Sequence, residues 1–307
     1  MDYKAIILEK LDLLRKKETQ DKNVFKARAY AKVIAQIREV AAPIHGLSDV
    51  VAIPGVGAKI KDKLAEIFAT GTLGAADRVP ATIKAADLLM KVHGVGPVKA
   101  RQLVDDGIRT IADLRADETV LNQVQRTGLK YFEDLQTRIP RAEMVRHEEL
   151  LRTYLCPEFR MDIVGSYRRG AADSGDIDVL MSLDDMSERK FDGIIRVLRA
   201  IAYVVPDGVL AQGPHKFMGI CRLPGLPARR LDLMLTPKAE YPYAILYFTG
   251  SDKFNIHMRA RARALGYTMN EHTMKAVRPD IPDIPDMASE NDIFEFLNQP
   301  YVVPTQR

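Results

Sequence analysis

Two short segments in which aspartates alternate with aliphatic residues constrain this chain more than any other feature. They are Gly175-Asp176-Ile177-Asp178 and, further along, Leu231-Asp232-Leu233. In a β-strand successive side chains point to opposite faces, so the carboxylates share one face and the aliphatic residues enter a core. Carboxylates on one face repel each other, and Mg²⁺ between them relieves that repulsion. We therefore predict a sheet with Asp176 and Asp178 on one strand and Asp232 on a neighbouring strand, where they bind metal.

The composition indicates a globular chain of about two domains. The chain has 307 residues, of which 47% are hydrophobic, and this is ample for buried cores. The net charge is only +4, but residues 1–100 hold 17 Lys and Arg against 11 Asp and Glu, while the remainder holds 28 against 30. The basic excess therefore lies in the N-terminal third.

The chain carries two isolated cysteines, Cys156 and Cys221, with no second cysteine or histidine at ligand spacing. This predicts neither a zinc site nor a disulfide framework, and it favours a reducing compartment. No apolar run approaches the roughly 20 residues of a membrane span, and the N-terminus is charged and amphipathic rather than a signal peptide. We expect a soluble, intracellular monomer without a membrane partner, located in the nucleus of a eukaryote or otherwise in a cytoplasm or virion.

Two glycine-rich turns repeat at an offset of 39 residues within a first half of helical periodicity. They are Pro54-Gly55-Val56-Gly57 and His93-Gly94-Val95-Gly96, and each predicts a helix-hairpin-helix. Closely spaced glycines reach left-handed dihedrals and leave N–H groups at the next helix free for a phosphate. Such hairpins grip DNA without reading its sequence. A plain helix cap and turn is the alternative for either copy, but the repetition and the basic flanks favour DNA binding.

The segment Gly165-Ser166-Tyr167-Arg168-Arg169-Gly170 precedes the aspartates and offers phosphate ligands. Its turn supplies backbone N–H and hydroxyl donors, and Arg169 supplies a planar fork of donors that fits phosphate oxygens. Attack of a 3′-oxygen on an α-phosphorus needs one metal ion to activate the attacking oxygen and another to stabilise the leaving pyrophosphate. The ordered motifs predict nucleotidyl transfer, whereas Asp-x-Asp alone is more often a surface strand with scattered acids.

From about residue 160 the pattern changes to short strands around an amphipathic helix. The predicted strands are residues 161–164, 177–181, 217–223 and 230–235, and the predicted helix is residues 188–201. Two further helices, one beginning near Tyr243 and one after Ser251 or Asp252, form a small C-terminal lobe. The predicted fold class is multidomain α and β, with an N-terminal all-α helix-hairpin-helix domain and an α+β nucleotidyltransferase palm that carries this lobe.

The chain resembles the family X DNA polymerases, in the minimal layout of the polymerase-beta type, over essentially its whole length. Besides the motifs above, the resemblance rests on Gly128-Leu129-Lys130-Tyr131-Phe132, Arg138-Ile139-Pro140-Arg141, Arg229-Arg230-Leu231-Asp232 and Leu246-Tyr247-Phe248-Thr249-Gly250-Ser251-Asp252. It implies a lyase-type helical domain with the first hairpin, a DNA-binding helical subdomain with the second, a catalytic palm and a nucleotide-selection lobe. These four parts are residues 1–79, 80–138, 139–238 and 239–307.

The resemblance also implies a role for each matching residue. Asp176 and Asp178 bind two Mg²⁺ ions, which Mn²⁺ can replace, and Asp232 joins the catalytic ion and helps deprotonate the primer 3′-hydroxyl. The residues that contact the incoming dNTP are Arg138, Ser166, Arg169, Gly175, Tyr247, Phe248, Gly250, Asp252 and Asn255. The residues that contact gapped or nicked double-stranded DNA are Gly55, Gly57, Gly94, Gly96, Arg230 and Arg259. A monovalent cation, K⁺ or Na⁺, binds the backbone carbonyls of Val51, Ile53 and Val56, and of Met90, Val92 and Val95.

Lys59 and Lys63 lie one helical turn apart after the first hairpin, where clustered cations can lower the pKa of an amine towards nucleophilic use. By the resemblance Lys63 forms a Schiff base with C1′ of a 5′-deoxyribose phosphate. The residues that hold its 5′-phosphate are Lys26, Lys32 and Lys59. The alternative is that these lysines only neutralise the DNA backbone. Phe25 replaces a phosphate-contacting histidine of the family, which weakens the inference of full lyase activity.

Two further positions depart from the family pattern. Met234 stands where an arginine often follows the third aspartate, and Ile256 replaces a basic residue near the template base. The methionine argues against a charge switch with Asp178 during closure, and the lost positive charge at Ile256 predicts altered fidelity rather than lost chemistry.

Three functions compete. The prediction is a template-dependent gap-filling polymerase of base excision repair that also has 5′-deoxyribose-phosphate lyase activity. The alternatives are a template-independent nucleotidyltransferase and a DNA-binding repair protein with weak polymerase activity. Only residues 224–228 separate the predicted strands before Asp232, and so short a loop leaves the template space open. The loop therefore favours templated synthesis.

Overall fold

The computed structural model describes residues 1–155, 160–183 and 188–307, and Cys156 lies outside these ranges. The described residues form two compact units, Met1–Val120 and Leu121–Arg307, each with its own apolar core. The predicted division into four parts is finer than these two units and stays a prediction. In the described part of the chain, no helix combines the length and the apolarity that a membrane span requires.

The first unit is built from helices, as the periodicity predicts. These are α1 (Lys4–Gln20), α2 (Val24–Glu39), α3 (Ala58–Thr70), α4 (Gly74–Asp77), α5 (Ala81–Leu89), α6 (Pro97–Asp105) and α7 (Ile111–Ala116). Ile7, Leu11 and Leu14 recur at intervals of three and four along α1, which places them on one face. All three are buried in a core shared with Val33 and Ile37 of α2.

The second unit mixes helices and strands. Its helices are α8 (Gln123–Lys130), α9 (Phe132–Gln136), α10 (Arg141–Leu155), α11 (Gly165–Arg168), α12 (Glu188–Ala200), α13 (Tyr241–Thr249), α14 (Asp252–Ala264) and α15 (Glu290–Phe296). Its strands are β1 (Ile139–Pro140), β2 (Arg160–Ile163), β3 (Asp173–Ser174), β4 (Ile177–Leu183), β5 (Val204–Gln212), β6 (Lys216–Cys221), β7 (Arg229–Pro237), β8 (Tyr267–Met269) and β9 (Met274–Ala276). The four predicted strands and the predicted helix correspond to β2, β4, β6, β7 and α12.

Five strands form the main sheet in the order β2-β4-β7-β6-β5. β4 and β7 run parallel, and their register pairs Asp178 with Asp232. Ile177, Val179 and Leu233 are fully buried on the other face, so the predicted alternation is confirmed here. Further along both strands α13 covers the carboxylate face with an apolar cluster. The two aspartates therefore lie where the covered part of the sheet ends.

Asp176 lies directly before the strand that carries Asp178, which agrees with the predicted strand 177–181 but not with the expectation that both aspartates lie on one strand. β4 begins at Ile177, and Asp176 occupies the bend before it. The preceding strand β3 pairs with β1 in a separate two-stranded sheet. The chain therefore has to bend between two ladders at Gly175 and Asp176.

Three strands, β5, β8 and β9, were not predicted, because the alternation of apolar and polar residues is weak in them. β5 contains Pro206, Asp207 and Gly208, Asp207 has a φ of +57°, and the pairing with β6 shifts register there. Such irregularity breaks the alternation that marks a strand. β8 and β9 have three residues each, which is too short for a period to emerge.

A polar network lies in the core beside the main sheet. Arg229, at the start of β7, donates from Nε and Nη2 to the two carboxylate oxygens of Glu143 over 2.7 and 2.9 Å. His147 on α10 lies with Nε2 3.6 Å from Glu143 Oε1 and Nδ1 2.8 Å from the Tyr203 hydroxyl. Burial lowers the pKa of His147 to about 4, although the charge of Glu143 opposes this. The imidazole is therefore neutral at neutral pH.

This network predicts that the second unit loses stability in mild acid. Between pH 6.5 and 4 the unfolded chain binds a proton at His147 that the folded chain does not, so the free energy of unfolding falls as the pH falls. At pH 5 the loss is about 2 kcal/mol relative to pH 7. We expect urea unfolding followed by circular dichroism to show this slope, and His147→Gln to reduce it.

The exposed histidine His257 provides the matched control, and His257→Gln should leave the slope unchanged. An equal slope in His147→Gln and in the unaltered chain would contradict the assignment.

Candidate active site

The parallel pairing of β4 and β7 sets Asp178 and Asp232 side by side. Asp178 is half-buried and Asp232 is buried. Burial, and then the negative charge of Asp232, raise the pKa of Asp178 to about 6. A cation in front of the pair would lower this pKa, because an opposite charge favours the ionised carboxylate. Two neighbouring carboxylates that repel each other provide the oxygen ligands that a hard divalent cation prefers.

Arg230 supplies positive charge between the carboxylates in the described structure. Its Nη2 donates to Asp176 Oδ2, and its Nε lies 3.8 Å from Asp232 Oδ1. In residues 1–155, 160–183 and 188–307, no three His, Cys, Asp or Glu side chains are gathered closely enough to hold a metal ion. The carboxylate of Asp176 is thus held by Arg230, and its place beside Asp178 and Asp232 stays a prediction.

The turn of α11 lies directly against this pair. Gly165 has a φ of +62°, and a Cβ there would lie 2.9 Å from Asp178 Oδ2. Only glycine therefore permits both the left-handed backbone and the close approach. Ser166, the next residue, donates its hydroxyl to Ser174 Oγ over 3.0 Å. The Gly-Ser motif therefore begins beside the aspartates, as the sequence predicts.

The two arginines of the same motif tie it to the end of α13. Arg169 Nη1 donates to the Thr249 carbonyl over 2.6 Å and lies 3.3 Å from the position of a Cβ on Gly250. Arg168 donates to Thr249 Oγ1 over 2.6 Å and to Glu290 Oε2 over 2.6 Å. Thr249 and Glu290 were not predicted as partners of Arg168, because nothing in the sequence indicates that residues 81 and 122 positions away lie near it in space.

Arg138 and Gly175 lie together at the short β1–β3 ladder. A Cβ on Gly175 would lie 3.1 Å from Arg138 Nη1. Arg138 donates from Nε to Asp173 Oδ1 over 2.9 Å and from Nη2 to the Asp173 carbonyl over 3.1 Å. Asp173 is a third residue whose contact the sequence did not reveal, although its position two residues before Gly175 was a usable signal.

The aromatic pair Tyr247 and Phe248 lies at the end of α13. Their rings meet edge to face with centroids 5.2 Å apart. Asn255 Nδ2 donates to the Tyr247 carbonyl over 2.8 Å, which fixes this side chain against α13. Ser251 accepts from the Phe254 N–H and caps α14, as predicted. The peptide bond between Gly250 and Ser251 is cis.

Most of the remaining predicted residues in this unit are exposed. Asp252 and Arg259 lie on α14 with exposed side chains, and Ile256 is 68% exposed on the same helix. Met234 is buried in the apolar cluster beneath α13. Its side chain there packs with apolar residues and carries no charge that could pair with Asp178.

A cavity of about 500 Å³ in the first unit brings together three of the predicted lyase residues. Lys26, Lys59 and Lys63 line it together with Glu18 and Tyr30. Lys63 Nζ donates to the Lys59 carbonyl over 3.2 Å, and Lys26 Nζ lies 3.5 Å from Glu18 Oε1. The sequence analysis missed Glu18 and Tyr30.

Two positions near this cavity lie outside its wall. Lys32 is absent from the cavity wall, and its side chain lies against the first hairpin, with Cδ 3.4 Å from the position of a Cβ on Gly55. Phe25 is 87% exposed and also lies outside the wall.

The two glycine-rich turns of the first unit have the same local conformation. Gly55 and Gly94 have φ of +104° and +85°. Gly57 and Gly96 cap the following helices with nearly identical dihedrals, φ of −80° and −84° and ψ of 174° in both. The helices α3 and α6 therefore follow turns of the same geometry, although α6 begins at Pro97, which has no N–H, whereas α3 begins at Ala58.

The backbone bonds of the two turns also match. The Val56 N–H donates to the Ile53 carbonyl over 3.1 Å, and the Val95 N–H donates to the Val92 carbonyl over 3.0 Å. Each of these carbonyls retains a second lone pair for a cation. Cation binding at these carbonyls, with Val51 and Met90, stays a prediction.

The close approach at Gly165 predicts a large effect of one methyl group. Gly165→Ala should lower the free energy of unfolding of the second unit by about 1–3 kcal/mol, because the new Cβ meets Asp178 and the backbone is left-handed. Gly193→Ala in α12 is the matched control, since a Cβ there meets no atom within 4 Å. It should stabilise by about 0.5–1 kcal/mol. Thermal unfolding of both variants checks the sign of each effect.

Models of four domain families match the chain in order. A helix-hairpin-helix domain matches residues 4–73, the fingers domain of DNA polymerase lambda matches 87–136, the DNA polymerase beta palm matches 138–238, and the DNA polymerase beta thumb matches 244–307. The matched ranges cover most of the helical unit, the sheet that carries the aspartates, and the C-terminal lobe.

Two curated relatives are similar along most of the chain. DNA polymerase lambda of Rattus norvegicus is 31% identical over 324 aligned residues, which cover 100% of this chain and 56% of the relative. DNA polymerase lambda of Arabidopsis thaliana is 28% identical over 303 residues, which cover 91% of this chain and 57% of the relative. The chain thus spans a little more than half the length of the curated relatives it matches.

The predicted fold class and the predicted resemblance are confirmed by these matches. Family X polymerases use divalent metal ions, which agrees with the carboxylate pair on β4 and β7. The four domain matches, in this order and beside this site, mean that the chain belongs to family X of the DNA polymerases.

Proposed function

We propose that the chain is a template-dependent DNA polymerase that fills short gaps during base excision repair. The observation that carries the proposal is the in-register pair of Asp178 and Asp232, with the Gly165 turn against it. This arrangement joins a carboxylate site for cations to a turn that offers phosphate ligands. Family membership supports the choice of a deoxynucleotide and a DNA 3′-end as the substrates.

Asp176, Asp178 and Asp232 would hold two Mg²⁺ ions, for which Mn²⁺ can substitute. The donor set fits, because all three ligands are carboxylates and because burial and the charge of Asp232 raise the pKa of Asp178, an effect that a bound cation would oppose. Bound there, the ions would activate the primer 3′-hydroxyl and stabilise the leaving pyrophosphate. Arg230 would have to release Asp176 as the ligand set forms, and its guanidinium is then free for the DNA backbone.

The triphosphate would lie along the turn of α11. Ser166 offers a hydroxyl, and Arg169 and Arg138 offer forks of N–H donors that match phosphate oxygens. Gly175 lies beneath the Arg138 guanidinium and lets the backbone approach the phosphates. These groups bind and orient the triphosphate so that the α-phosphorus faces the primer end.

The sugar and base of the incoming nucleotide would pack against the end of α13 and the start of α14. Tyr247 and Phe248 would lie against the sugar and disfavour a 2′-hydroxyl, and Gly250 would contact the nucleotide at the same turn. Asp252 and Asn255 would touch the nucleotide, and Arg259 would enter the minor groove beside the template.

Both hairpins of the first unit would grip the DNA backbone through the N–H groups at the starts of α3 and α6. The glycines at their turns, Gly55 and Gly57 and then Gly94 and Gly96, allow this close approach. Carbonyls of the same turns would hold K⁺ or Na⁺ and bridge it to a phosphate. The four functional parts given in the sequence analysis, from the lyase-type domain to the nucleotide-selection lobe, belong to this proposal.

A single-nucleotide gapped duplex with Mg²⁺ and the four dNTPs tests the polymerase. The unaltered chain should insert the nucleotide complementary to the template base. Asp232→Asn should lower kcat by about 10³-fold. The change removes a negative charge that helps to hold the catalytic metal ion, and that ion stabilises the transition state. Asp283→Asn, an exposed acid in the same unit, is the control and should keep full activity.

Insertion without regard to the template base would overturn the proposal in favour of a template-independent nucleotidyltransferase. DNA binding with very little insertion would instead favour a repair protein with weak polymerase activity. The short connection between β6 and β7, residues 222–228, supports templated synthesis because it leaves no long loop to fill the template space.

A second activity is supported by the lysine cavity of the first unit. Lys63 would attack C1′ of a 5′-deoxyribose phosphate and form a Schiff base with loss of water. Lys26 and Lys59 line the same cavity and would hold the 5′-phosphate, and Lys32 would contact the phosphate from the neighbouring hairpin. Loss of a proton from C2′ of this imine would break the C3′–O bond and release the 5′-phosphate end of the DNA, and hydrolysis of the imine would then free Lys63, which is 5′-deoxyribose-phosphate lyase chemistry.

Borohydride trapping on an incised abasic site tests the lyase. Lys63→Ala should abolish the covalent adduct, because only an imine at that amine is reduced to a stable bond. Lys61→Ala is the matched control on the same helix, since Lys61 is exposed and lies outside the cavity wall. An undiminished adduct in Lys63→Ala would mean that another amine attacks the sugar.

A further inference from the structure

One exposed ion pair occupies an arginine that the proposed function assigns to the triphosphate. Arg138 Nε lies 2.9 Å and Nη2 lies 2.8 Å from the same carboxylate oxygen of Asp173. Nη2 also donates to the Asp173 carbonyl over 3.1 Å. The edge of the guanidinium that carries Nε and Nη2 is thus engaged by one residue.

The remaining nitrogen of Arg138 faces the proposed triphosphate site. Nη1 lies 3.1 Å from the position of a Cβ on Gly175, the residue directly before Asp176. A phosphate that approaches over Gly175 therefore meets Arg138 through Nη1. It can bind the paired Nε and Nη2 donors only after the Asp173 carboxylate has left them.

We infer that Asp173 is an internal carboxylate that competes with the incoming dNTP for Arg138 and so lowers the affinity for the triphosphate. The inference rests on the proposed function. A carboxylate and a phosphate both accept two parallel N–H bonds from one guanidinium edge, so they exclude each other there. The negative charge of Asp173 also repels a triphosphate that carries several negative charges.

A merely structural role for the carboxylate is less well supported by the local backbone. The β1–β3 ladder already pairs Ile139 with Ser174 and Pro140 with Asp173. The Arg141 N–H donates to the Ala172 carbonyl over 2.9 Å, which extends the same ladder. The main chain next to Arg138 is therefore held without help from the Asp173 side chain.

The expected effect is modest because both partners are open to solvent. The side chains of Arg138 and Asp173 are 57% and 51% exposed. Exposed ion pairs contribute little, so removal of the carboxylate should lower KM for the dNTP about two- to five-fold and leave kcat nearly unchanged. The effect should shrink as the salt concentration rises, because ions screen exposed charges.

Asp173→Asn is the test, because it keeps the size of the side chain and the backbone carbonyl contact to Arg138. Steady-state insertion into a single-nucleotide gap gives KM and kcat separately. The matched control is Asp280→Asn, which removes the acid of another exposed ion pair, Arg278–Asp280, in the same unit. KM should fall in Asp173→Asn and stay constant in Asp280→Asn.

A double-variant cycle separates competition for Arg138 from general repulsion. In an Arg138→Gln background, Asp173→Asn should lower KM by a clearly smaller factor than in the unaltered chain. An equal factor in both backgrounds would overturn the inference. A rise in KM would overturn it as well, since it would make Asp173 a group that positions Arg138 for the phosphate, and so would an unchanged KM.

An equilibrium measurement keeps this inference separate from the proposed polymerase activity. Gapped DNA whose primer ends in a dideoxynucleotide cannot react, so binding of the correct dNTP can be titrated by the fluorescence of a 2-aminopurine in the template. Tighter binding in Asp173→Asn supports the competition even where kcat is low. Failure of the unaltered chain to extend a normal primer would instead count against the proposed function alone.

Discussion

The parallel pairing of β4 with β7 is the constraint on which the second unit depends. Its register sets Asp178 opposite Asp232, while Ile177 and Leu233 on the other face fill the core. A slip of one residue would bury the carboxylates and expose the aliphatic side chains, at a prohibitive cost in free energy. Burial of the aliphatic side chains therefore stabilises a register that places two carboxylates side by side, and it offsets the repulsion between them.

Three arginines near the carboxylate pair have hydrogen-bond partners within the protein. Arg230 holds Asp176, Arg138 holds Asp173, and Arg169 donates to a carbonyl at the end of α13. Each of these cations is a proposed ligand of DNA or of the triphosphate, and each already has a partner within the protein. Binding of substrate therefore exchanges one set of partners for another, so its free energy is the difference between two sets of contacts.

The buried pair of Glu143 and Arg229 has a different role from these exposed pairs. Arg229 also donates to the carbonyl and hydroxyl of Thr137, the residue before Arg138. Arg229 also directly precedes Arg230 in β7. Its buried guanidinium therefore anchors the backbone beside Arg138 and beside Arg230, which are proposed ligands of the triphosphate and of the DNA. Removal of either partner would leave a buried charge without compensation, which is far more costly than loss of an exposed pair.

The sequence by itself determined the elements whose signal is local. The alternation around Asp178 and Asp232, and the spaced glycines of both hairpins, follow from side-chain direction and backbone sterics, which neighbouring residues decide. The tertiary structure alone decided that Asp176 leaves the strand, that Lys32 lies outside the cavity, and that Asp173 meets Arg138 across 35 residues. Those outcomes depend on how separate segments fold against one another, and no local period in the sequence encodes a distance between them.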